Sequence, residues 1–62
     1  MKITLKAARV NAGLTQHEAA KRLHISTMSL VNWEKGKAKP TFDAVNRMSE
    51  LYKCPIDFFI FP

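Results

Sequence analysis

Cysteine occurs once in this chain of 62 residues, at Cys54, so no intramolecular disulfide can form. That excludes the disulfide-framed secreted scaffolds and points to a reducing compartment, the cytoplasm. Two glycines and three prolines are too few for a linker or a low-complexity tract, and no internal repeat is visible. No apolar run approaches the roughly 20 residues of a membrane-spanning helix, and Met1-Lys2-Ile3-Thr4 leads into polar sequence, not into a signal-peptide core. Almost no strand signal appears. His17, His24 and Cys54 are the only soft or imidazole ligands; their spacing matches no zinc pattern, so no metal or other cofactor is expected. Five acids and two histidines at these spacings give no nucleophile triad, phosphate-cradling loop or carboxylate dyad, so an enzyme is not expected. No small-molecule ligand is evident.

What is present is an ordinary globular mixture, 47% hydrophobic and 24% charged, which should fold. The length allows one domain, residues 1–62, with no room for a separate sensor domain. A chain this short buries only about 60% of the surface its unfolded form exposes, so it needs dense helix packing or a partner. Met1 and a domain without missing parts favour a whole protein over an excised piece. The net charge of +5 is unevenly spread. Up to Lys39 there are eight basic residues and two acidic ones, whereas the remainder is slightly negative. Any polyanion-binding face therefore belongs to the first two thirds of the chain.

Caps and breakers divide the chain into five short helical segments. Thr4 caps Leu5 to Ala12, with Leu5, Ala8 and Ala12 along one stripe and Gly13 as the stop. Thr15-Gln16-His17-Glu18 reads as a reciprocal capping box opening a helix to about Leu23. Its adjacent Ala19 and Ala20 let a neighbouring helix approach closely. Ser26 caps a third helix, with Leu30 and Trp33 turned inward, which Lys35-Gly36 ends. After the basic loop Lys37 to Pro40, Thr41 caps a fourth with Asp43 in its first turn and Phe42, Val45, Met48 and Tyr52 on one side. Pro55 opens a final short turn, Ile56-Asp57-Phe58-Phe59. Cys54 reads as a small buried or half-buried hydrophobe.

Two helices of about two turns joined by about three residues, in an all-α setting, match the helix-turn-helix. The ordered set Gly13-Leu14-Thr15-Gln16, Glu18-Ala19-Ala20, Ile25-Ser26, Leu30, Trp33-Glu34, Gly36 and Pro40 strongly resembles the phage repressor/Cro (Xre-type) family of DNA-binding domains. The resemblance runs from about Leu5 to Phe59. It implies an all-α, compact bundle of five short helices containing a helix-turn-helix, and a sequence-specific double-stranded DNA-binding transcription regulator, a small phage-, prophage- or mobile-element-type repressor or Cro-like protein. In that docking mode the third helix lies in the major groove and the second crosses the backbone.

The groove-facing residues are then Thr27, Met28, Ser29, Val31 and Asn32. Asn32 can pair with adenine, Thr27 and Ser29 can donate or accept, and Met28 and Val31 can touch a thymine methyl; the alternative is an ordinary solvated helix face. Gln16 opens the second helix, where free amides and the dipole receive a phosphate, and Lys35, Lys37 and Lys39 crowd the loop that flanks the groove. Lys6, Lys21 and Arg22 read as plain surface. The resemblance makes Arg9 and Glu34 a partly buried structural ion pair. It also puts His24 where the family's turn commonly has glycine with positive φ, a strained place for histidine.

Phe58, Phe59, Ile60 and Phe61 cannot all pack on one side of a short turn. They form a candidate dimer surface, or else the tail wraps over Leu51 and Tyr52 to finish the core. The family binds inverted-repeat operators as two-fold homodimers, at least on DNA. A second class of function stays open, a protein-interaction module on the same fold, such as an antitoxin. A membrane-active cationic peptide is disfavoured by the breaks at Gly13, His24 to Ser26 and Gly36 to Pro40.

Overall fold

Four Ser or Thr residues in extended backbone start the four α-helices of the computed structural model, which describes residues 1–62. They are α1 (Leu5–Asn11), α2 (Gln16–Leu23), α3 (Thr27–Lys35) and α4 (Phe42–Tyr52). In each case the hydroxyl of Thr4, Thr15, Ser26 or Thr41 accepts the amide three residues on, at 3.0–3.1 Å. Each such cap satisfies an amide that the helix itself cannot pair and is worth about 1 kcal/mol. The Thr15 capping box is complete, with Glu18 accepting the Thr15 amide at 2.9 Å.

The helix ends are equally uniform. Gly13, His24, Gly36 and Lys53 all adopt left-handed backbone, with φ of 77°, 59°, 81° and 53°. In each, the next residue's amide reaches back to a carbonyl of the last turn: Leu14 to Arg9, Ile25 to Ala20, Lys37 to Asn32 and Cys54 to Ser49. This is the Schellman closure, repeated four times. Both glycines are used in it, and the other two closures force His24 and Lys53 into a region that costs an L-residue about 1–2 kcal/mol.

The expected five helices are four. The final segment is a single 3-10 turn, Ile56–Phe58, without a side-chain cap. The all-α expectation also needs correcting, because β1 (Ile3–Thr4) pairs in parallel with β2 (Phe59–Ile60), Ile3 opposite Phe59 and Thr4 opposite Ile60. This two-residue ladder ties the chain's two ends together. It also explains Phe59, which is 6% exposed and belongs to the core, not to a dimer surface.

The core runs through Leu5 and Ala8 of α1, Ala19, Ala20 and Leu23 of α2, Leu30 of α3, Ala44, Val45, Met48 and Tyr52 of α4, and Phe59. Ile3, Leu14, Ile25, Trp33, Leu51 and Cys54 pack around it, partly buried. Two residues expected on inner stripes lie outside. Ala12 follows α1 and is exposed, and Arg9 takes its place as the buried residue of the last turn. Phe42, at the first position of α4, is 77% exposed, and the buried face of that helix begins at Ala44.

Candidate nucleic-acid interface

The pair α2–α3 is built around small residues. Ala19 and Ala20 are fully buried, and α2 and α3 make the most extensive contact between elements of the molecule. Backbones come close where no side chain exceeds a methyl group. His24, Ile25 and Ser26 form the turn between them, with Ile25 tucked against the core. Turn geometry thus rests on the left-handed His24 and on the Ser26 cap that begins α3.

A polar junction fixes this pair to α1. Arg9 donates from Nε to Glu34 Oε2 at 2.8 Å, from Nη2 to Glu34 Oε1 at 3.3 Å and from Nη1 to the Leu14 carbonyl at 2.8 Å. The two side chains are only 8% and 3% exposed, so the ion pair expected from the sequence is buried. Gln16 Nε2 donates to the same Glu34 Oε1 at 3.0 Å. One carboxylate near the end of α3 therefore holds α1 and the first residue of α2, while the Arg9 guanidinium that it pairs also holds the α1–α2 loop through the Leu14 carbonyl. The Gln16 amide is committed to this junction through one of its hydrogens, so any anion received at the start of α2 meets the unpaired first-turn backbone amides first.

Tyr52 of α4 lies in the field of the same charges. Its buried hydroxyl has no hydrogen-bond partner. Burial, with the Glu34 carboxylate adding to it against the opposing Arg9 charge, pushes its pKa up to about 12. Glu18, in contrast, is fully exposed and held below the usual carboxylate range by the Thr15 amide and hydroxyl that it serves as capping partner.

On the outer face of α3, Met28 is 66% exposed, and Thr27, Ser29, Val31 and Asn32 are half-buried. The hydroxyls of Ser26 and Ser29 are 2.9 Å apart and hydrogen-bonded, so one of their two protons is spent between them. Lys35, Lys37 and Lys39 are exposed, and neither of the two ion pairs in the molecule involves a lysine. The other pair, Arg47–Asp43 on α4, is exposed and contributes little. All five candidate groove residues are brought onto one helix and the three lysines to its end, while Lys6, Lys21 and Arg22 are exposed elsewhere on α1 and α2. No helix is long and apolar enough to cross a membrane.

Comparison with known proteins bears on this geometry directly. The family described as helix-turn-helix matches residues 5–59, nearly the whole chain. The chain belongs to the repressor/Cro-like (Xre-type) helix-turn-helix family. Within that family it is 39% identical over 56 residues to the HTH-type transcriptional regulator ImmR of Bacillus subtilis (strain 168), an alignment covering 90% of this chain and 44% of ImmR. It is 30% identical over 53 residues to the HTH-type transcriptional activator BcrR of Enterococcus faecalis, covering 86% of this chain and 26% of BcrR. The chain spans less than half the length of either relative. No solved structure gave a significant match.

Two features of the site were missed from sequence. The Gln16–Glu34 bond joins residues 18 apart, and only Gln16's place at a helix start was readable. The unpartnered Tyr52 hydroxyl had no signal beyond the rule that a buried tyrosine normally finds a partner.

Proposed function

We propose that this chain is a sequence-specific binding module for double-stranded DNA that serves transcription regulation in the cytoplasm, of the phage or prophage repressor type. The observation that carries the reading is the outer face of α3, polar and apolar groups in helical register with three unpaired lysines at its end. α3 enters the major groove. Asn32 pairs with an adenine edge, Thr27 and Ser29 meet base acceptors, and Met28 and Val31 pack on thymine methyls, each good pairing worth about 1–3 kcal/mol of discrimination. The backbone amides at the start of α2, next to Gln16, and Lys35, Lys37 and Lys39 contact phosphates on either side. ImmR and BcrR, named as a regulator and an activator, support regulation in general; repression by occupying a promoter is our reading for this chain.

Two copies bind an inverted repeat, half-sites one helical turn apart. With Phe59 in the core, the candidate dimer surface reduces to the exposed Ile60 and Phe61 and the half-buried Phe58. Exposure of Ile60 and Phe61 is also what favours the second reading, a module that captures a protein partner.

Titration of the protein into fluorescent duplex across a salt series separates the two. Binding through phosphates makes log K fall steeply with log salt, and each lysine of the loop replaced by alanine lowers the slope by about 0.9. Asn32→Ala weakens a preferred duplex and leaves unrelated duplexes unaffected. Salt-insensitive binding to every duplex, or none, overturns the reading.

A further inference from the structure

The four helix closures of this protein are equivalent in backbone, and one of them is not equivalent in packing. A Cβ added at Gly13 meets nothing within 4 Å, and the same left-handed position carries whole side chains at His24 and Lys53. At Gly36 a Cβ lies 2.9 Å from Pro62 Cγ and 3.0 Å from Pro62 Cβ, with the Pro62 carbonyl carbon at 3.5 Å. The last residue of the tail is seated on the closure of α3. Its approach is fixed upstream, since β2 is paired to β1 and Phe59 is anchored in the core. Proline suits the place because it has no amide to satisfy there and little backbone freedom to lose.

Gly36 is also the pivot from α3 into the basic loop. The Lys37 and Ala38 amides both return to the Asn32 carbonyl, at 2.9 and 3.4 Å, so the loop's course is tied to a residue of the groove-facing set. We propose that Pro62 is a positioning residue: seated on Gly36, it braces the Lys35–Lys39 loop in the course that presents its lysines to phosphate, so that the tail controls affinity for DNA. This rests on the DNA-binding reading above. An unbraced loop must be ordered on binding, and that ordering weakens the complex.

The test is Pro62→Gly, which removes the ring and keeps the chain length. Hydrogen exchange at Lys37 and Ala38 should rise by about fivefold or more, while Leu14, Ile25 and Cys54, which make the same bond in the other three closures, stay unchanged. The melting temperature should hold and affinity for duplex DNA should fall several-fold. In a double-mutant cycle, Gly36→Ala should destabilise the wild-type background more than the Pro62→Gly background. Unchanged exchange at Lys37 and Ala38 with equal cost of Gly36→Ala in both backgrounds overturns the brace. Faster exchange with undiminished affinity overturns its role in binding. If the wild-type protein binds no duplex, it is the DNA-binding reading that fails, and exchange with the cycle still decides the brace.

Discussion

Arg9→Ala removes a guanidinium that makes three hydrogen bonds, two to Glu34 and one to the Leu14 carbonyl. Glu34 then keeps only the Gln16 amide. A carboxylate 97% buried with one neutral donor is an uncompensated charge, and breaking such a pair from one side costs about 3–5 kcal/mol. A folded chain of this length has about 3–9 kcal/mol in total. The variant therefore loses between a third and all of its stability, and at about 4–8 °C per kcal/mol its melting temperature falls by at least about 12 °C. Circular-dichroism melts and urea titrations measure this. The double variant Arg9→Met with Glu34→Leu removes both charges while keeping apolar volume, and most of the loss should return. An Arg9→Ala protein melting within about 3 °C of wild type refutes the reasoning. A double variant no better than the single one assigns the loss to the hydrogen bond to the Leu14 carbonyl, which both variants leave unmade, and not to an uncompensated charge.

Other positions give sharper but smaller effects. His24→Gly relieves the left-handed strain against a loss of unfolded-state restriction, for a net gain of up to about 1 kcal/mol, and a lower melting temperature counts against it. Phe59→Ala should cost about 3–5 kcal/mol and Ile60→Ala under about 1 kcal/mol, since neighbours in the same strand face core and solvent; equal costs measured in urea would return Phe59 to the surface. Tyr52 is the only tyrosine, so the tyrosinate absorbance reports it alone. Its folded pKa of about 12 exceeds the ordinary 10. Between those values the unfolded chain has released a proton that the folded chain retains, so stability falls as pH rises through this window and is unaffected by Tyr52 below it. Tyr52→Phe should abolish that alkaline loss, and tyrosinate appearing near pH 10 in the folded protein would contradict it.

What was legible from sequence follows from the range over which each feature is determined. All four N-caps, Thr4, Thr15, Ser26 and Thr41, were readable because a hydroxyl and its amide lie three residues apart. Of the four left-handed closures, Gly13 and Gly36 announced themselves. His24 was reached only through the family resemblance, and Lys53 carried no signal, because lysine is not selected for that backbone. The β1–β2 ladder is two residues long in each strand and joins Ile3 to Phe59, so no periodicity could reveal it. Without it, Phe59 looked like its exposed neighbours Ile60 and Phe61. Phe42 failed for the opposite reason: it has the helical spacing of the core stripe, but spacing alone does not say at which turn of the helix burial begins, here at Ala44. The Arg9–Glu34 pair came from the family pattern, whereas the third member of that junction, Gln16, was read from its helix dipole and turned out to have a protein partner as well.

The claim that α3 reads base sequence is tested most directly by selecting random duplex DNA with the purified protein near physiological salt and sequencing what is retained. The account predicts an inverted repeat with half-site centres one helical turn apart, A·T-containing at the positions met by Asn32, Met28 and Val31, and lost when Asn32→Ala is used. Retention without any enriched sequence, or a motif that Asn32→Ala and Thr27→Ala leave intact, contradicts it.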